Sequence, residues 1–259
     1  MRIIIVTQDE RLYLPRSFAR VCAEFPGSVE AIVSAPALST HGGAVRGLWR
    51  HLRLFGIRGT GILSLRVADA WLRARFRQPG REGPFYSIEH VARAWDIPYH
   101  RVTRLGDELG PILDRYDPEL LVSISCPQIL GKSVRDRLPL GSINVHGAPL
   151  PRYRGLMPAF WVLRNGETTT AVTVHELAAK LDDGDILAQR VVPIGPDDTW
   201  DSLVRRTKEA GAGLLVETIR QIADGTVTRR PNPEAEATYF SFPTAQDRRA
   251  FLAAGRRFF

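Results

Sequence analysis

The chain has 259 residues, 44% of them hydrophobic, enough to bury a full core without dividing into several domains. Its formal charge of +7 gives anionic ligands a long-range attraction without identifying one. Two cysteines far apart give no disulfide framework or zinc pattern, and the opening run MRIIIV is too short for a signal-peptide core or a membrane span. A cytoplasmic protein with no transmembrane segment is therefore expected.

Short aliphatic and β-branched runs predict parallel strands at 3–6, 28–33, 99–102, 120–123 and 143–145. Between them, segments 14–25, 87–95, 106–116 and 128–137 carry helical patterning and supply the crossovers. That alternation predicts a doubly wound, mostly parallel α/β sheet of Rossmann-like type. The first strand leads into Thr7, Gln8, Asp9 and Glu10, a turn with two carboxylates and no glycine. Such a turn is a poor cradle for a phosphate, which argues against a standard dinucleotide fold. The division expected is a catalytic domain over 1–225 and an extension over 226–259.

Between Ala37 and Tyr86 lies an apparent insertion with arginines at 46, 50, 53, 58, 66, 73, 75, 77 and 81. Leu48, Leu52 and Phe55 fall at helical spacing, and a second amphipathic stretch runs from Leu65 to Phe76. The expectation is a two-helix flap. Its arginines are either solvated or serve a phosphorylated acceptor, an RNA or an anionic membrane.

The segment SINVHGAPLPRYRG brings Asn144 and His146 to one face of a strand end, because side chains two apart in a strand point the same way. A short helix over 157–164 follows, then two strands at 168–175 and 186–194. The loop between those strands, KLDDGD, holds Asp182, Asp183 and Asp185. An amide, an imidazole and a carboxylate meeting at one point can perform acyl transfer to an amine. The amide holds a developing oxyanion, the imidazole moves a proton, and the carboxylate orients or accepts. The aspartates lack the length and pattern of a calcium loop, so no metal is expected. Arg152 and Arg154 are either surface charges or ligands for a phosphate or carboxylate. His175 reads as a packed or half-exposed strand residue with no role. Cys126 reads as a small buried hydrophobe rather than a nucleophile.

These segments, in this order, resemble the folate-dependent formyltransferases. INVHGAPLPRYRG is similar to that family's Asn-x-His strand end and Leu-Pro-x-x-x-Gly loop, and KLDDGDILAQ to its Leu-Asp-x-Gly loop. VSISCPQIL resembles the strand and turn that cup a pterin ring. The resemblance implies 10-formyltetrahydrofolate as formyl donor and a primary amine as acceptor. It implies catalytic roles for Asn144, His146 and Asp182. Contacts to the donor are implied for Cys126, Pro127, Gln128, Ile129, Leu130, Asp183 and Asp185. The glycine-free first turn departs from the glycinamide ribonucleotide branch. Beyond Gly225 a strand or hairpin and a short helix are expected, without the β-barrel domain of methionyl-tRNA formyltransferases. ATYFSFPT is similar to tails of members acting on nucleotide-linked amino sugars. The acceptor implied is such an amino sugar, a phosphorylated or nucleotide-linked small molecule; methionyl-tRNA or a hydroxyornithine-like amine are the alternatives. A catalytically silent homologue that binds folate or RNA is the reading from another class. The tail's aromatics are expected to cover a sheet edge or to support a homodimer.

Overall fold

The computed structural model describes residues 1–36, 44–77 and 80–259. Ala37, where the expected insertion begins, lies outside them.

A seven-stranded sheet organises the chain. Its strands are β1 (Ile3–Gln8), β2 (Val29–Ala35), β3 (Tyr99–Arg101), β4 (Leu120–Ile124), β5 (Ser142–His146), β7 (Thr169–Glu176) and β8 (Ile186–Pro193), in the spatial order β3-β2-β1-β4-β5-β7-β8. The first five run parallel, as expected, and β7 and β8 add an antiparallel edge. Because both faces of the central strands β1 and β4 are covered, their residues read as largely apolar runs. Ile3 and Ile5 face a cluster that includes Phe18, Val91 and Leu215, whereas Ile4 and Val6 face Leu109, Leu113 and Leu121 on the other side.

Helices α1 (Pro15–Glu24), α3 (Ile88–Ala94) and α7 (Trp200–Ala223) pack on the first face, and α4 (Leu105–Tyr116) with α5 (Lys132–Arg135) on the second. This is the doubly wound arrangement. Two helices differ from expectation. The crossover expected over 128–137 is helical only at α5, because Gly131 and Pro139 bracket it and Ser125 adopts a left-handed φ of 52° just upstream. The 24-residue α7 was not among the expected elements, since Gly211 and Gly213 weaken its helical signal. Packing overrides that weakness. A Cβ at Gly211 would lie 3.1 Å from side-chain carbons of Val145 and Val172, so the small residue brings α7 close to the sheet.

The insertion folds as α2 (Ala44–Phe76), broken at Gly56, whose φ is 69°. Leu54 and Phe55 of α2 join a third cluster with Phe160 and Trp161 of α6 (Pro158–Arg164), Trp200, Phe251 and Phe258. The last two residues come from the C-terminal segment. There β9 (Tyr239–Phe240) pairs in parallel with β6 (Arg154–Gly155), and α8 (Ala245–Ala253) precedes the final turn. Backbone bonds from Trp200 and Asp201 to the carbonyls of Arg257 and Phe258 fix the end of the chain to the start of α7. The segment thus covers α6 and α7 as part of the body.

Candidate active site

The parallel strand β5 and the antiparallel strand β7 bring the polar residues together by register alone. Ser123 of β4 lies opposite Asn144 of β5, which lies opposite His175 of β7. Cross-strand partners sit close enough for short side chains to bond. The Ser123 hydroxyl donates to Asn144 Oδ1 at 2.8 Å, and Asn144 Nδ2 donates to His175 Nε2 at 3.1 Å. The His175 Nδ1–H donates to the Glu176 carbonyl at 2.8 Å, which sets that tautomer. An amide has two N–H donors, so Asn144, only half-buried, keeps a second one with its orientation already fixed.

His146 ends β5, opposite Thr173. Its Nε2 lies 2.8 Å from the Tyr153 carbonyl, an acceptor only, so Nε2 carries the ring proton. The lone pair of Nδ1 then faces Asp182 Oδ2 at 3.5 Å. Thr173 orders the turn after the strand. Its hydroxyl donates to the Ala148 carbonyl at 2.7 Å and accepts from the Leu150 amide and the Gln189 side chain.

Asp182 enters from the β7–β8 loop in a left-handed conformation, φ 51°. One carboxylate oxygen accepts the Gly155 N–H at 2.8 Å and faces His146; the other lies 3.5 Å from His175 Nε2. Two glycines permit this approach. A Cβ at Gly184 would fall 2.0 Å from the Glu176 carbonyl oxygen, and one at Gly155 (φ 102°) 2.2 Å from that of Phe240. Neither loop can close with a side chain there.

The electrostatics follow from burial and partners. Burial alone would raise the Asp182 carboxyl, but His146, His175 and the Gly155 amide outweigh it and hold the group well below the usual carboxylate range. Burial pushes the His146 imidazolium down, against the upward pull of Asp182, so the ring is neutral at pH 7. At neutral pH the site therefore holds an anion beside an unprotonated Nδ1. A proton delivered to that nitrogen would sit between His146 and Asp182.

The expected residues fall into three groups. Asn144, His146 and Asp182 converge, and His175 joins them although the sequence marked it only as a packed or half-exposed strand residue. The signal lay in strand register, which pairs His175 with Asn144 and is invisible to spacing along the chain. Cys126, Pro127, Gln128, Ile129 and Leu130 form the loop at the end of β4. Within it Leu130 is buried in the core, and Gln128 bonds the Leu105 amide at 2.9 Å and the Thr103 carbonyl at 3.1 Å. Burial pushes the Cys126 thiol up to about 11, which leaves no nucleophile at neutral pH. Ile129 is exposed.

The third group is spread over the two loops. Asp185 is exposed, and Asp183 is held by Arg154 at 2.5 Å. Arg154 is fully buried, and its guanidinium also bonds Glu234 at 2.7 Å, Tyr239 at 2.6 Å and Asn232 twice. Rather than facing a ligand, it clamps the Asp182 loop to the C-terminal segment. Arg152 remains at the surface, 3.4 Å from Glu167.

The family pattern described as Formyl transferase matches residues 74–219, which span every element of this site except β6's partner strand. The chain is 36% identical over 156 residues to a methionyl-tRNA formyltransferase of Koribacter versatilis, covering 60% of this chain and 50% of that one. It thus spans about half the length of the curated relatives it matches. Among solved structures, phosphoribosylglycinamide formyltransferase from Anaplasma phagocytophilum aligns with a TM-score of 0.60 at 18% identity, over 93% of this chain and 98% of that one. An N-formyltransferase from Helicobacter canadensis, in complex with folinic acid and dTDP-3-aminofucose, aligns with a TM-score of 0.58 at 17% identity, over 93% and 71%. At those identities the likeness bears on the fold, which is the Rossmann-like formyltransferase fold. With more than half its length under the family pattern, and the site inside that half, the chain belongs to the formyltransferase family.

Proposed function

We propose that this protein transfers the formyl group of 10-formyltetrahydrofolate to a primary amine. The observation that carries the reading is Asp182, set between His146 and His175 with the Asn144 amide on the same side of the strand end. The amine nitrogen attacks the formyl carbon, and negative charge gathers on the formyl oxygen. The second N–H of Asn144 is oriented to hold that charge, a contact worth about 2.7–4 kcal/mol when preorganised in a site of low dielectric. His146 Nδ1 takes the proton lost by the nitrogen, Asp182 stabilises the imidazolium, and the proton passes to the departing folate nitrogen as the C–N bond breaks. Leu177, at the start of the Asp182 loop, packs on the same cluster as Leu130 of the 125–131 loop. Ile129 and Leu181, one exposed on each loop, suit the faces of a flat pterin ring.

For the acceptor, sequence likeness to methionyl-tRNA formyltransferases supports methionyl-tRNA ahead of a nucleotide-linked amino sugar. The relatives that bear on the question at 32–41% identity carry the former name, whereas the amino-sugar structures resemble the chain at fold level only. The net charge of +7 fits either anionic acceptor. The test is release of tetrahydrofolate from the donor with methionyl-tRNA, nucleotide-linked amino sugars and hydroxyornithine offered separately. Turnover with methionyl-tRNA alone is expected. Turnover with a sugar alone would move the acceptor assignment, and no turnover with any amine would sink the enzymatic reading.

A further inference from the structure

We propose that α2 docks this protein onto an anionic lipid surface, lying in the plane of the headgroups. The inference is independent of the acceptor and of formyl transfer itself.

The helix is fastened along one side only. Leu54 and Phe55 are buried in the cluster with Trp200 and Phe258, a Cβ on Gly59 would touch the Phe259 ring, and Arg66 pairs with Asp201 at 2.8 Å. The opposite side is apolar too. In the second half Ile57, Leu65, Leu72 and Phe76 follow at intervals that keep one face of a helix, and they are 86%, 74%, 48% and 78% exposed. In the first half Val45, Leu48 and Trp49 stand at i, i+3 and i+4 and are all exposed. A helix covered on one face needs no apolar residues on the other, and monomeric proteins rarely expose such a contiguous stripe.

Charge selects the partner. The helix carries seven arginines against a single acid, Asp69, which is paired with Arg73 at 2.7 Å. Arg46 and Arg53 stand beside the Val45–Leu48–Trp49 stripe, with Arg50 in the same row and its guanidinium 6.0 Å from the Phe242 ring, and Arg58 and Arg75 border the second stripe. A second copy laid on this face would set arginines against arginines. An RNA would engage the arginines and Trp residues but has nothing for Ile57, Leu65 and Leu72, because nucleic acid is held through phosphates and base stacking. An interfacial helix on anionic lipid uses both sets. Its Leu, Phe and Trp side chains enter the acyl boundary while its arginines meet the headgroups. Among the described residues no helix is long and apolar enough to cross a membrane, so the helix would lie on the surface rather than span it.

The test is co-sedimentation of the full chain with vesicles of phosphatidylcholine alone and with roughly 30 mol % phosphatidylglycerol added, at low and high salt. Binding at least about tenfold stronger to the anionic vesicles, weakened by salt and accompanied by a blue shift of tryptophan emission, is expected. The exposed positions tolerate polar substitution, so Leu65→Gln/Leu72→Gln/Phe76→Gln should keep the circular dichroism and formyl transfer of the parent while losing vesicle binding. Arg46→Glu/Arg50→Glu/Arg53→Glu should lose the preference for anionic lipid. Three outcomes would overturn the proposal: no binding to either vesicle, equal binding to both, or unchanged binding by the Gln variant. A dimer abolished by the Gln substitutions would instead assign the face to a second copy. Tight tRNA binding abolished by the Glu substitutions, with no vesicle binding, would assign it to RNA.

Discussion

At the level of single residues, the site depends on which ring nitrogen of His146 is free. The Tyr153 carbonyl occupies Nε2–H, so Nδ1 is the basic atom and Asp182 the group beside it. Burial holds the His146 pKa below 6.5 while Asp182 pulls it back up, and Asp182 itself stays ionised through the working range. In the proposed mechanism the working form is neutral His146, so kcat should be flat near pH 7 and fall on the acid side with a midpoint below 6.5. Asp182→Asn removes the upward pull. Its kcat is expected to drop by about 10²-fold or more, with any residual acid limb displaced to lower pH. A pH–rate profile of the variant whose acid midpoint moves upward would contradict this arrangement. The linkage to stability runs the same way: the depressed Asp182 carboxyl contributes stability present above its unfolded pKa of about 3.8 and lost as pH falls below it.

Loops and strand ends, one level up, decide whether those atoms meet. Strand β5 supplies Asn144 and His146, but Asp182 arrives on a loop that must press against β7 and against Gly155 of β6. Gly184 sits where a methyl group would strike the Glu176 carbonyl, and Arg154 ties the same loop to Glu234 and Asn232. Gly184→Ala therefore has to shift the loop backbone. It is expected to cost roughly 1–3 kcal/mol of stability, the range for forced overpacking, and to lower formyl transfer by at least about tenfold through displacement of Asp182. Thermal unfolding and steady-state kinetics on the same preparation check both parts. Full activity in Gly184→Ala would mean that Asp182 does not need this loop position.

Across the whole molecule, legibility in the sequence tracked how local each cause was. Strands β1, β2 and β4 were readable because each is a short run buried on both faces, and β3, a half-exposed edge strand, because Tyr99 to Val102 carries β-forming residues. The Asn144–His146 pair was readable because it lies within one strand end. What escaped depends on chain segments far apart. His175 acquires its place from the antiparallel register of β7 on β5, and Arg154, 28 residues before Asp182, from carboxylates on two other segments. Helix α7 escaped because Gly211 and Gly213 lower its propensity, although Gly211 is what lets it approach Val145 and Val172. The surplus apolar side of α2 is the converse. Its helical period is plain in the sequence, but only the packed fold reveals which side is left over.

The central claim is that Asn144 holds charge that exists only during the transfer. Asn144→Ala should lower kcat by about 10²–10³-fold while folate affinity, read by calorimetry on the same protein, changes little. Parallel losses in turnover and in folate binding would contradict the claim, because they would make Asn144 part of the donor's resting contacts.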